Sequence, residues 1–288
     1  LLNLHERVDQ RKEDQARARW QWFVDRIGKA SRDVTIAVTG KYTALRDAYA
    51  SIIKAAEHCG VHLGVNVNLE WLDTSQIDQN NVSRRLAHCH GIIVPGGFGV
   101  RGTEGKIDCI RFGRENRVPY LGLCLGFQMA VIEFARNVCG IADADSTEFD
   151  PRSKNPVIDI LPEQKRIEGL GGNMRLGGKD VDLQPGTLAS GLYENASRIR
   201  LRFRHRYEVD PKYIAALEAH GMVFSGRHPT QPIMQVLELP QDIHPFFIGT
   251  QAHPELTSRP LHPSPMFMGF VKAAMSHAEQ NRKQPQTV

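Results

Sequence analysis

One short stretch, Tyr120-Leu-Gly-Leu-Cys124-Leu-Gly-Phe-Gln128, joins a reactive side chain to a backbone able to present it. An apolar run leads straight into a helical pattern, with Cys124 at the join and Gly122 and Gly126 two residues to either side. This is the cysteine form of the G-x-S-x-G nucleophile elbow, whose glycines let strand and helix approach while the turn pushes the nucleophile out of the sheet. The open N–H groups and dipole of a helix N-terminus favour negative charge on a thiol placed there. Cys59, Cys89, Cys109 and Cys139 lack that setting and read as small buried hydrophobes.

A thiol nucleophile needs a base, and the base needs an orienting partner. Gln251-Ala-His253-Pro-Glu255 follows an apolar strand pattern over Phe246–Gly249. A residue before proline is biased to extended backbone, where residues two apart point the same way. His253 is therefore the expected base and Glu255 the group that holds its tautomer. A backbone N–H from Gly96-Gly97, paired with that of Leu125, suits an oxyanion hole.

The same glycine stretch contains Gly97, Gly99 and Gly102, which satisfy G-x-G-x-x-G. A dinucleotide site is rejected, because that fingerprint belongs in the first strand–helix turn and here it follows the third strand. Gly105-Lys106 is followed by Ile107 and lacks the upstream glycine of a Walker A loop. His88 and His90 flank Cys89 without a second ligand pair at metal-binding spacing, so no metal site is assigned.

The elements around these motifs alternate. Strands are expected at 34–40, 65–72, 91–95 and 118–123. Helices are expected at 43–58 (ended by Gly60), 79–88, 104–116 and 125–138. Such alternation implies a three-layer α/β domain with a mostly parallel central sheet and helices on both faces. The second half carries shorter strands at 199–203, 206–209, 222–225, 233–239 and 246–251, a small antiparallel excursion that returns to the main sheet. Gly169, Gly171, Gly172, Gly177 and Gly178 suggest a mobile loop, and 266–279 a closing helix. Residues 1–30 read as a linker helix, 31–278 as the catalytic domain and 279–288 as a polar tail.

Hydrophobic residues at 41% and charged residues at 24% describe a folded domain and exclude a disordered or fibrous chain. A net charge of +4 over 288 residues is too weak, without a clustered patch, to imply nucleic acid. Five cysteines, an odd number with no CxxC pair, fit a reducing, cytoplasmic compartment. No apolar run approaches a membrane span and no signal peptide is visible. The chain begins at Leu1 rather than Met, as expected of a piece of a longer protein.

The three motifs, in this order, resemble the class I (triad-type) glutamine amidotransferase family, a flavodoxin-like fold. Within it, the stretches VPGGFGVRGTEGKI, PYLGLCLGFQMAVIEFARNV, DADSTEFDP, GGNMRLG, RFRHRYEV and AHPELTSRP resemble the glutaminase domain of CTP synthases over about residues 31–275. The resemblance, not the spacing, implies L-glutamine as substrate and a γ-glutamyl thioester on Cys124. It implies glutamine contacts at Gly97, Leu125, Gly126, Phe127, Gln128, Glu148 and Arg206. Glu148 suits the substrate ammonium and Arg206 its carboxylate. Without the resemblance, Glu148 reads as a turn acid, and Arg202, Arg204 and Arg206 as a solvated basic strand face.

The resemblance further implies no cofactor in this domain. ATP and Mg²⁺ belong to an absent amidoligase half, GTP acts as allosteric activator beside Phe98, and the full-length enzyme is a homotetramer. The chain departs from the family at Phe203, Phe127, Asn173, Ala252 and Leu256, none of them in the triad. A γ-glutamyl peptidase shares the Cys and His, and a regulatory module could share the fold. The RHRYEV and MRLG stretches oppose the first, and the intact Cys124, His253 and Glu255 oppose the second.

Overall fold

Alternate residues of each central strand serve opposite faces of the sheet, and that alternation sorts the core into two layers. Ile36 and Val38, Ile93, and Leu121 and Leu123 join one buried cluster. Ala37, Ile92 and Val94, and Tyr120 join the other. Fully buried strands with both faces apolar require helices on both sides. The computed structural model describes residues 9–41, 45–160 and 174–283.

Strands β1 (Arg32–Gly40), β2 (Val65–Asp73), β3 (Gly91–Val94), β4 (Tyr120–Leu123) and β12 (Phe247–Thr250) form the parallel part of a nine-stranded sheet. Its order is β2-β1-β3-β4-β12-β11-β10-β7-β8. The last four are β11 (Met234–Glu238), β10 (Val223–Arg227), β7 (Arg175–Leu183) and β8 (Arg198–His205), each antiparallel to its neighbour. The antiparallel excursion therefore extends the main sheet. Beside it, β5 (Ala144–Ser146), β6 (Asn155–Asp159) and β9 (Glu208–Val209) make a separate three-stranded sheet.

Helices α3 (Val82–Leu86), α4 (Thr103–Glu115) and α5 (Leu125–Asn137) belong to one layer, and α2 (Ala50–Leu63) and the closing helix (Pro265–Lys283) to the other. Shorter helices cover Leu188–Leu192 (α6) and Pro211–Ala219 (α7), making the closing helix α8. Arg114 of α4 donates to both carboxylate oxygens of the fully buried Glu133 on α5, at 2.8–3.1 Å. The pair fixes the position of α5, the helix behind the nucleophile.

Several expected boundaries move. Helix α2 passes through Gly60 and stops at Gly64, whose φ of 65° is the left-handed cap that glycine supplies. Gly60 is needed for closeness, since a Cβ there would sit 2.7 Å from the Val65 carbonyl oxygen. Helix α3 shrinks because the Asp78 carboxylate accepts from the Asn80 and Asn81 amides, holding that stretch in a turn. Gly177 and Gly178 belong to strand β7, paired with Phe203 and Arg202, and not to a loop. Gly169, Gly171, Gly172 and Asn173 lie outside the described residues. The leading helix α1 (Gln10–Arg26) buries only Phe23, against His58 and His62, and leaves Trp20 and Trp22 exposed.

Candidate active site

The site stands at the carboxyl ends of β3, β4 and β12, where open parallel sheets place their crevices. Cys124 follows β4 with φ 51° and ψ −99°, a sparsely populated conformation for a non-glycine residue. The Cys124 amide donates to the Thr250 carbonyl at 2.8 Å, which ties the turn to β12. The first backbone bond of α5 runs from the Gln128 N–H to the Cys124 carbonyl at 3.3 Å. The amides of Leu125, Gly126 and Phe127 thus form the open helix end.

The flanking glycines are steric necessities. A Cβ on Gly126 would lie 2.1 Å from the Val94 carbonyl oxygen, and one on Gly122 would lie 2.4 Å from the Tyr120 hydroxyl oxygen. Gly126→Ala should destabilise the protein by about 3 kcal/mol or more, the upper range for overpacking against backbone. Urea unfolding checks this, and a loss below about 1 kcal/mol would show that the elbow can relax.

His253 reaches the sulfur from the end of β12. Its amide donates to the Arg202 carbonyl at 2.8 Å, and its Nδ1 shares a 2.7 Å hydrogen bond with Glu255 Oε1. The extended geometry expected for this pair is corrected: Pro254–Thr257 form a 3₁₀ turn, and the turn brings Glu255 back under the ring. Burial by itself lowers the His253 pKa. Hydrogen bonds to Cys124 and Glu255, with their charges, outweigh burial and lift it to about 10. A protonated imidazole beside the sulfur stabilises negative charge there. Burial pushes the thiols of Cys59, Cys89 and Cys109 up to about 12.

Cys124, His253, Glu255, Gly96, Gly97, Phe98 and Arg204 line one cavity of about 290 Å³. Gly96 packs against the base, since a Cβ there would lie 3.0 Å from His253 Cε1. Phe98 is exposed at its edge. Leu125 lies beside Gly97, its Cδ2 3.5 Å from where a Cβ would stand. Phe127 points into the core and is fully buried. Gln128 is also buried, its amide donating to the Tyr207 carbonyl and to Gln251 Oε1. Glu148 accepts the Gly99 N–H at 2.8 Å and so braces the glycine loop. Arg206 is exposed; it and Glu148 both act on the Tyr207 hydroxyl, whose pKa burial raises first of all. Neither Glu148 nor Arg206 lines the 290 Å³ cavity.

Two contributors escape the sequence reading. Arg204 reads there as a solvated strand residue, yet it lines the cavity, and its carbonyl faces the Cys124 sulfur at 3.7 Å. Gln251 is fully buried and donates from Nε2 to the same sulfur at 3.7 Å. Its place two residues before His253 was the available signal. A larger cavity of about 630 Å³, between α1, α2 and β2, holds none of the triad.

Comparison with known proteins agrees with this geometry. The family model for class-I glutamine amidotransferases matches residues 44–273. CTP synthase of Methanopyrus kandleri is 49% identical over 257 residues, covering 88% of this chain and 48% of that protein. CTP synthase of Natronomonas pharaonis is 51% identical over 252 residues, covering 88% and 45%. The chain thus spans about half the length of the curated relatives it matches. The glutaminase domain of Trypanosoma brucei CTPS, solved with bound acivicin, superposes with a TM-score of 0.79 at 35% identity, covering 84% of this chain and 94% of that one. Fold, motif order and extent of match coincide, and this chain belongs to the class-I glutamine amidotransferase family, on its CTP synthase branch.

Proposed function

We propose that this chain hydrolyses the side-chain amide of L-glutamine to glutamate and ammonia through a thioester on Cys124. The observation that carries the reading is His253, hydrogen-bonded to Glu255 through Nδ1 and lining the same cavity as Cys124. The Cys124 thiolate attacks the amide carbon, a C–S bond forms, and the carbonyl electron pair moves to oxygen. The amides of Gly97 and Leu125 stabilise that oxyanion. Collapse breaks the C–N bond while the His253 imidazolium gives its proton to nitrogen, so ammonia leaves. Water then attacks the thioester and His253 takes its proton. The second collapse expels the thiolate, and the released acid loses its proton to solvent.

Gly126, Phe127 and Gln128 meet the glutamine through the backbone of the first turn of α5, since the Phe127 ring points into the core. Glu148 pairs with the substrate ammonium and Arg206 with its carboxylate, through charge-assisted hydrogen bonds. The steps need only these side chains, backbone amides and water.

The matched relatives, twice as long and named CTP synthases, support a partner half that consumes the ammonia. In this reading residues 1–30 link that amidoligase half to a glutaminase domain at 31–278, ahead of a polar tail at 279–288. The amidoligase half uses ATP and Mg²⁺ to aminate UTP to CTP, in a cytoplasmic homotetramer. GTP activates the glutaminase beside Phe98, whose exposed ring suits stacking with a base. Among the described residues no helix is long and apolar enough to cross a membrane. The test is glutamate release from glutamine, with and without GTP, by the chain joined to an amidoligase half. Release coupled to CTP formation is expected, and no release under those conditions would overturn the reading.

A further inference from the structure

The tertiary structure brings Glu70 of β2 against the turn that carries His88 and Cys89 into β3. Glu70 Oε2 lies 2.5 Å from His88 Nε2, and the Cys89 sulfur lies 3.8 Å from that same nitrogen. The three donor atoms all fall within 4.8 Å of one another. We propose that Glu70, His88 and Cys89 form a site for a borderline divalent cation of the zinc class, separate from the catalytic cavity.

The donor set argues for that class. One carboxylate oxygen, one imidazole nitrogen and one thiolate sulfur are the mixed ligands that zinc takes, whereas calcium and magnesium take oxygen alone. Zinc–ligand bonds of about 2.0–2.3 Å in tetrahedral geometry set ligand atoms roughly 3.3–3.6 Å apart. The nitrogen–sulfur separation already approaches this. The carboxylate and imidazole need only part by about 1 Å, and both side chains are partly exposed and able to turn. Solvent on their side supplies the fourth position.

The turn itself is pinned. The Cys89 amide donates to Leu86 at 2.9 Å, and the His90 amide donates to the Thr35 carbonyl at 2.7 Å. Thr35 in turn donates to His90 Nδ1, so His90 is spent on β1 and His88 is the histidine left to ligate. Metal entry exchanges the Cys89 thiol proton, released to solvent, for the cation, and shifts the His88 proton to Nδ1. Two anionic ligands and one dication then sum to zero charge at a nearly buried sulfur. The site lies at the amino end of β3 and the catalytic thiol beyond the carboxyl end of β4, so neither occludes the other.

Cobalt(II) titration of the 288-residue chain tests this, because a cobalt–thiolate bond gives a near-ultraviolet charge-transfer band. One equivalent should produce the band, and zinc should abolish it. The band should survive Cys124→Ser and disappear in Cys89→Ser, and Glu70→Gln should weaken binding at least about tenfold. His88→Gln, at an exposed position, should lose the band and keep glutaminase activity and far-ultraviolet circular dichroism unchanged. No band in the wild-type chain, or a band that persists in Cys89→Ser and His88→Gln, would overturn the proposal. A band lost only in Cys124→Ser would assign the metal to the catalytic thiol and overturn it equally.

Discussion

Alanine at position 124 will lower glutamate release by at least ~10⁴-fold, the scale seen when a covalent nucleophile is removed. The covalent route ends, because among the described residues no second thiol lines the cavity: Cys59, Cys89 and Cys109 are buried elsewhere, with thiols pushed up to about 12, and the half-buried Cys139 lies elsewhere too. The fold should survive. Apart from its interaction with His253, the sulfur makes two long contacts, to Gln251 and to the Arg204 carbonyl, and alanine keeps the Cβ that the strained turn already carries. Stability should therefore change by about 1 kcal/mol or less. The companion measurement is mass spectrometry with a glutamine-like electrophile, which should add once, at Cys124. Undiminished release in Cys124→Ala, or labelling spread over the buried cysteines, would contradict the mechanism.

Glu255→Ala should cost roughly 10²–10⁴-fold in kcat, the range between loss of a proton-transfer aid and loss of a triad acid. Glu255 is nearly buried and holds the His253 Nδ1 side, so its removal frees the ring to turn and to change tautomer. It also removes one of the two groups that lift His253 against the lowering effect of burial. The sign follows from linkage. A histidine raised from 6.5 to about 10 on folding contributes stability that is whole below pH 6.5 and lost as pH rises through 10. The stability gap between wild type and Glu255→Ala should thus be widest near pH 6.5 and narrow towards pH 10. Melting temperatures at the two pH values check this, and a gap that widens with pH would refute the assignment of the raised pKa to this pair.

The nucleophile was the most legible part of the site, because its needs are local. Gly122, Cys124 and Gly126 lie within five residues, and the clash distances at both glycines explain why the pattern tolerates nothing larger. The strand–helix alternation was legible for the same reason, since β3, β4 and α5 each carry their burial pattern in consecutive residues. Boundaries were less legible where a side chain competes with the backbone, as Asp78 does before α3, or where a glycine serves packing rather than capping, as Gly60 does within α2. Strands β5, β6 and β7 were missed because three- to five-residue or glycine-bearing strands leave little periodicity.

The residue types that do chemistry, and the order in which the chain presents them, were determined by sequence alone. A thiol at a strand–helix join and a His-Pro-Glu after a strand need only neighbours to be read. Tertiary structure decided which distant groups meet them. Only the pairing of β4 with β12 sets His253 beside Cys124, and only a 3₁₀ turn brings Glu255 to the far ring nitrogen. The same holds for Gln251 at the sulfur, Arg204 beside it and Glu70 beside His88, pairs 18 to 127 residues apart. Local pattern records what each residue prefers by itself. Contacts across the sheet arise from how the strands are ordered, and that order is a property of the packed whole.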